Sequence, residues 1–232
     1  MSFVRAIALT VLSISFNLAA PLADARAELA LSQLVVELTP DGHSRTDLEV
    51  VNTGADPSFV SVAPREIIAP GTPLQSRKDE LDPEKLGLLV SPARLILDPG
   101  ERRLIRIATI APPSDRERVY RVTVKPVVGQ LKAEGSGLKL LVGYDVLVLV
   151  RPRDIKPHVS GVRSGDELTL HNDGNVSVEL LDGERCPQGS NICKSLPGTR
   201  LYAGASTKVA ALPSEKLFYK AKVGSKILPI EF

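Results

Sequence analysis

From Leu138 to Val150 the chain alternates in a way that only an extended backbone can use. The even positions read Leu138, Leu140, Val142, Tyr144, Val146, Val148 and Val150, and side chains of one parity share one face of a strand. At roughly 3.3 Å per residue the segment spans about 40 Å, well beyond the usual strand of five or six residues. Its odd face is mixed: Lys139, Leu141, Gly143, Asp145, Leu147 and Leu149. Charged and small residues fill positions 132–137 before it, a loop that lets the start of the strand project. Arg151-Pro152-Arg153 follows, and the proline stops the ladder there. Two readings remain open from the pattern. One is a central strand buried on both faces. The other is an overlong edge whose first residues offer apolar side chains and backbone hydrogen bonds to another polypeptide. Such an edge invites aggregation when unpaired, so the second reading requires a client or a cap.

The rest of the chain is also built for strands. β-prone runs recur at Leu31–Leu38, Asp47–Val51, Phe59–Val62, Arg94–Leu97, Leu104–Thr109 and Val119–Val128. Pro40-Asp41-Gly42, Asn52-Thr53-Gly54, Pro70-Gly71 and Asp98-Pro99-Gly100 supply turn chemistry between them. This spacing predicts an all-β antiparallel sandwich, with a boundary across Arg151–Pro157. A shorter second half holds Leu168–Leu170, Val176–Leu181, Thr207–Ala211, Phe218–Val223 and Lys226–Phe232. We therefore expect domains at 28–152 and 153–232, alike in strand content but with no sequence repeat between them.

Residues 1–27 stand apart. Arg5 precedes an uncharged run from Ala6 to Ala20, and Ala25-Arg26-Ala27 gives the small-x-small pattern that a signal peptidase accepts. Cleavage after Ala27 leaves 205 of the 232 residues, and an uncleaved N-terminal anchor is the alternative. No later run approaches the length of a membrane span, so the mature chain is expected to carry no integral membrane segment. Export makes one local disulfide the expected state of Cys186 and Cys193. A redox-active pair is the other reading, although that usually takes Cys-x-x-Cys at a helix start.

Composition removes several functions. Lys plus Arg total 29 against 27 acidic residues, and there is no Trp, so neither a basic surface nor a base-stacking face for nucleic acid is expected. Three His and two Cys fall short of a four-ligand metal site, and no cofactor motif is present. His43, His158 and His171 lie beside turns or a proline with no nucleophile or paired carboxylate in sequence, so no enzyme is expected.

The order Leu88-Leu89-Val90-Ser91-Pro92, Leu97-Asp98-Pro99-Gly100, Leu104-Ile105-Arg106-Ile107 and Asp115-Arg116-Glu117-Arg118-Val119-Tyr120 resembles the PapD-like periplasmic chaperones of the chaperone–usher pathway. The long strand ending in Arg151-Pro152 is similar to that family's G1 strand. Glu66–Thr72 and the run Cys186…Cys193…Leu196-Pro197…Arg200–Gly204 resemble the branch serving alpha-type fimbriae. The resemblance implies two immunoglobulin-like β-sandwich domains with a cleft between them. It also implies periplasmic location, pilus or fimbrial subunits as clients, an outer-membrane usher as partner, and a dimer that caps the free edge. Subunits of that pathway lack a last strand, and the chaperone lends its G1 edge in place of it. Counting back from Arg151-Pro152 puts the donated side chains at Leu138, Leu140 and Val142, three members of the even face described above.

One departure stands out. The family anchors the subunit's terminal carboxylate with two basic residues, and the matching positions here are Val35 and Leu147. Arg121, Lys125 and Arg151 are the nearest candidate substitutes. A structural subunit or two-domain adhesin is the competing function, but such a protein would carry its alternating segment at the N-terminus rather than before a domain boundary.

Overall fold

The computed structural model describes residues 28–40, 42–127, 141–189 and 192–232. The expected signal segment and the donor positions Leu138 and Leu140 lie outside the described residues. The first half contains β1 (Leu29–Leu31), β2 (Val35–Leu38), β3 (Arg45–Asn52), β4 (Ser58–Ile68), β5 (Ser76–Lys78), a single helical turn α1 (Pro83–Leu86), β6 (Leu88–Ser91), β7 (Arg94–Leu97), β8 (Arg102–Thr109), β9 (Arg118–Pro126) and β10 (Tyr144–Val150). The second contains β11 (Val159–Ser164), β12 (Glu167–Asn172), β13 (Val178–Pro187), β14 (Lys194–Leu196), β15 (Thr199–Leu201), β16 (Ser206–Ala210), β17 (Glu215–Val223) and β18 (Lys226–Glu231).

These strands form two sandwiches. In the first, a sheet ordered β1-β3-β8-β6 faces one ordered β2-β10-β9-β4-β5, with β7 also pairing β4. In the second, β11-β12-β16 faces β14-β13-β17-β18, with β15 also pairing β13. Alternation explains the packing. On β3 and β8, Leu48, Val50, Ile105 and Ile107 enter the core. The opposite parity puts Asp47 against Arg106 and Glu49 against Arg102 in solvent. Leu168, Leu170, Val178, Leu180 and Leu217 fill the second core in the same way.

The long alternating strand is corrected at its start: pairing begins at Tyr144, and Leu141–Gly143 precede it unpaired. Tyr144 lies opposite Val124 of β9, so the next positions upstream would need a ladder with Lys125 and Pro126. Pro126 has no N–H to give. Gly143 passes so close to β9 that a Cβ there would lie 2.7 Å from Cβ of Lys125. The strand at 31–38 is likewise split, with a break between β1 and β2 that sends one piece to each sheet.

The two halves share one local structural device. Asn52 ends β3 and Asn172 ends β12, each is fully buried, and each is followed by x-Gly. Asn52 Nδ2 donates to the carbonyls of Asp56 (2.8 Å) and Leu97 (2.9 Å), while its Oδ1 accepts from Gly54 N–H (2.9 Å). Asn172 repeats every contact, with Val176 (2.9 Å), Leu201 (2.7 Å) and Gly174 (2.9 Å). Each asparagine thus ties a strand end, its turn and a distant strand together. The Cys186–Cys193 disulfide is formed, joining the end of β13 to the residue before β14.

Asn172→Ala should destabilise the protein by roughly 2–4 kcal/mol, because two buried carbonyls lose their donor at once. An unchanged urea midpoint would show that these bonds contribute nothing net.

Candidate functional site

Cross-strand partners share a face, so register alone maps the outer surface of the β2-β10-β9-β4-β5 sheet. Nearest the second sandwich, one row runs Glu37, Leu149, Val119, Ile67 and Arg77. The next runs Val35, Leu147, Arg121 and Arg65. A third holds Asp145, Thr123 and Ala63. The positions expected to lack a basic anchor, Val35 and Leu147, are therefore direct neighbours, and Arg121 is the next side chain along the same row.

The rim of this surface is the junction between the sandwiches. Arg151 leaves the end of β10 and is 2% exposed. Its guanidinium is bonded to the Glu117 carboxylate, to Glu37 Oε1 (3.0 Å) and to the carbonyl and hydroxyl of Ser177 (3.2 and 3.3 Å). Burial pushes the Glu117 carboxyl above the ordinary carboxylate range, and Arg151 and Ser177 pull it part of the way back. Asn175 adds a second clamp, donating to the carbonyls of Asp115 (2.9 Å) and Asp154 (2.7 Å). At the other side Tyr202, between β15 and β16, packs on Ile67, Val119, Leu147 and Leu149. Gly71 lets the β4–β5 loop pass beneath it: a Cβ there would sit 3.0 Å from the Tyr202 ring, and its φ of +72° suits glycine.

A cavity of about 220 Å³ lies on the sheet under Tyr202, lined by Ile67, Val119, Gln75, Arg77, Arg121 and Asp145. Arg121 Nη1 donates to the Asp145 carbonyl (3.1 Å), and among the described residues no carboxylate pairs with it. Arg65 of the same row is held by Asp79. Lys125 is exposed further down β9, beside Gly143 and Leu141. Of the three candidate cations, Arg151 is thus already enclosed by acids of the chain, whereas Arg121 faces the cleft. Val142 is 45% exposed immediately before β10.

The other flank of β10 matters as much. The parallel strand β2 pairs only Leu147–Val150, and Leu147 N–H donates to the Leu34 carbonyl. From Tyr144 to Val146 the flank away from β9 has no partner strand among the described residues. Sequence reasoning missed Arg77, which sits on a three-residue strand with no alternation, and Tyr202, which lies in a turn. It also treated the histidines as isolated, whereas His158 and His171 both approach Asp173, at 3.5 and 3.3 Å on the surface.

Residues 29–156 match the family described as pili and flagellar-assembly chaperone, PapD N-terminal domain. The chain is 29% identical over 195 residues to the probable fimbrial chaperone EcpE of Escherichia coli O18:K1:H7, covering 78% of this chain and 76% of that one. Its fold is similar to the class 5 fimbriae chaperone CfaA, with a TM-score of 0.67 at 20% identity over 88% of this chain and 97% of that one. A chain from the chaperone–tip adhesin complex of CFA/I fimbriae biogenesis gives a TM-score of 0.66 at 19% identity, covering 88% and 98%.

Arg151→Ala should cost roughly 3–5 kcal/mol, since it strands the Glu117 carboxylate in the junction. A carboxyl held above its unfolded value binds its proton more tightly in the native state, so stability falls as pH rises through that interval. Removing the guanidinium raises the folded value further, and the deficit of the variant should be larger at pH 8 than at pH 5. Denaturant titrations at the two pH values check this; a deficit independent of pH would contradict it.

Proposed function

The chain belongs to the PapD-type pili and flagellar-assembly chaperones, and on that premise we propose that it holds an incomplete pilus subunit by lending it the start of β10. The observation that carries this reading is the open flank of β10 from Tyr144 to Val146, which lies in line with β2 and just upstream of its end. A client strand laid there continues the sheet and stops where Leu34 begins to pair. Upstream, Val142 and the donor positions Leu138 and Leu140 keep the parity of Tyr144 and Val146, whose side chains lie in or against the core of the first sandwich. In the client they serve the same purpose, filling the groove left by its missing strand. Three buried aliphatic side chains would contribute roughly 5–9 kcal/mol before ordering costs.

We assign residues 28–152 to the sandwich that lends the strand and 153–232 to the second, with 1–27 as a cleavable signal for export to the periplasm. An outer-membrane usher receives the loaded subunit. The client's terminal carboxylate is taken by Arg121, reaching over Leu147, rather than by Lys125 or by the enclosed Arg151. The stretches that resemble the alpha-type branch, Glu66–Thr72 and Arg200–Gly204, include Gly71 and Tyr202, which touch across the cleft. On the resemblance of those stretches we assign the chain to this branch. A subunit or adhesin role is not favoured, since the alternating segment sits inside the chain and the relatives named above are chaperones.

Leu140→Asp and Val142→Asp should each lower recovery of a one-to-one complex with a coexpressed pilus subunit by more than tenfold, while the free protein keeps its circular dichroism. Unchanged capture by both variants would sink the strand-lending reading. In isolation the mature protein should sediment as a dimer whose copies cover each other's open flank, and a strictly monomeric protein would refute that.

A further inference from the structure

Strand parity assembles a cluster on the outer face of the sheet β11-β12-β16. Val159 pairs with Asn172 and Ser160 with His171, so one step further along His158 stands opposite Asp173, and Ser206 of β16 stands opposite His171. Val159, Leu170, Asn172 and Ala205 are buried, and the alternate positions His158, Ser160, His171, Asp173 and Ser206 take the solvent side. Both imidazoles approach the one carboxylate: His171 Nε2 is 3.3 Å from Asp173 Oδ1, and His158 Nδ1 is 3.5 Å from Oδ2. These separations are longer than the roughly 2.8 Å at which a charged hydrogen bond settles. Two donors that each lie about 2.1 Å from one ion at a tetrahedral angle stand roughly 3.4 Å apart, so both separations are those of ligands sharing a metal. The neighbours orient the set. His171 Nδ1 meets Ser206 Oγ at 2.7 Å, which holds that ring with Nε2 toward the carboxylate, and Ser160 Oγ donates to Asp173 Oδ2. Lys208, the next cation on the same face, is taken by Glu167 (2.7 Å) and does not compete for Asp173.

We propose that His158, His171 and Asp173 bind one divalent transition-metal ion of the zinc class, with water at the remaining position. Imidazole nitrogen and carboxylate oxygen are ligands that such ions accept, and three of them with a solvent position make an open site. Three His and two Cys fall short of four ligands by count, but register adds a carboxylate and solvent supplies the last place. Each imidazole stands at ligand spacing from Asp173 rather than from the other ring. His158 has a side chain that is 67% exposed and lies just before β11, so it swings to close the set across the diagonal, which on adjacent strands spans about 7–8 Å. The ion also ties the junction. His158 follows Pro157 in the connection between the sandwiches, and its carbonyl accepts from Gly174 N–H (3.2 Å). Asp173 lies two residues before Asn175, which holds the carbonyls of Asp115 and Asp154 and accepts from Lys156 N–H (2.8 Å). A bridge from His158 to Asp173 therefore adds a second link to the segment that Asn175 already grips. The site uses no residue of β10 and holds whether or not a strand is lent.

Calorimetric titration of the chelator-treated mature protein with ZnCl2 alone tests this. The wild type should take up one equivalent of zinc, and MgCl2, whose ion prefers oxygen ligands and water, should give no binding. His158→Ala, His171→Ala and Asp173→Asn should each weaken zinc binding at least tenfold, while His43→Ala, at the remaining histidine, leaves it unchanged. Ser206→Ala should weaken it severalfold by freeing the His171 ring. His158→Ala changes an exposed residue outside any strand, so its loss of binding is not a loss of fold. Zinc should also raise the urea midpoint of the wild type but not that of His158→Ala. No uptake by the wild type, or uptake that survives in all three ligand variants, overturns the site. Binding that leaves the wild-type midpoint unmoved belongs to the unfolded chain as much as to the fold, and overturns it too.

Discussion

A buried guanidinium fixes the working geometry of this molecule. Arg151 lies one residue past β10 and is gripped by Glu117 from the entry to β9, by Glu37 from β2 and by Ser177 from the entry to β13. Those four residues come from β2, the entry to β9, the end of β10 and the entry to β13. Burying a charge this deeply carries a desolvation cost that only a full set of partners offsets, and the partners exist only when the sandwiches meet at one angle. The apolar contact of Tyr202 with Ile67, Val119, Leu147 and Leu149 then closes the other side. Polar clamp and apolar wedge flank the outer face of β10 and β9, so the cleft has its shape without a client.

β10 divides its side chains between two tasks. Tyr144, Val146, Val148 and Val150 belong to the core of the first sandwich, whereas Leu147 and Leu149 look outward into the junction. A strand buried on both faces at its C-terminal end needs no charge there, which gives a physical reason why no basic residue stands at position 147. With Leu147 serving the Tyr202 contact, the nearest cation in the row lies on the neighbouring strand, where Arg121 is its direct partner.

Much of this was legible in the sequence because strands advertise parity. The even face of 138–150 separates core from cleft correctly along β10, and Arg94–Leu97 coincides with β7. Three residues of the Asp115–Tyr120 stretch hold the structure together. Glu117 enters the junction, Arg118 pairs with Glu66 at 2.7 Å, and Tyr120 bonds the Leu86 carbonyl. Val35 and Leu147, matched from Leu31 and Pro152 in the sequence, lie opposite each other. What stayed hidden has no periodic signature. β5 is three exposed residues, so Arg77 looks like an ordinary surface charge until the sheet folds it across to Asp145. Asn52 and Asn172 are single residues inside turn-like tripeptides, and only their identical carbonyl partners reveal the shared device. Arg151 reads as a hinge charge because burial at a junction depends on two distant segments at once.

The parallel pairing of β2 with β10 has one more consequence. β2 covers β10 from Leu147 onward, and among the described residues no strand covers the same edge before it. The point at which β2 begins is therefore a ruler. Under the strand-lending proposal it would fix how far along the edge a guest strand can slide before it meets Leu34. Register in such a guest would be set by an end stop made of this chain's own backbone. A chain with β2 longer by two residues would hold the same guest one pleat lower, with every side chain on the same face but its terminus out of reach of the cavity.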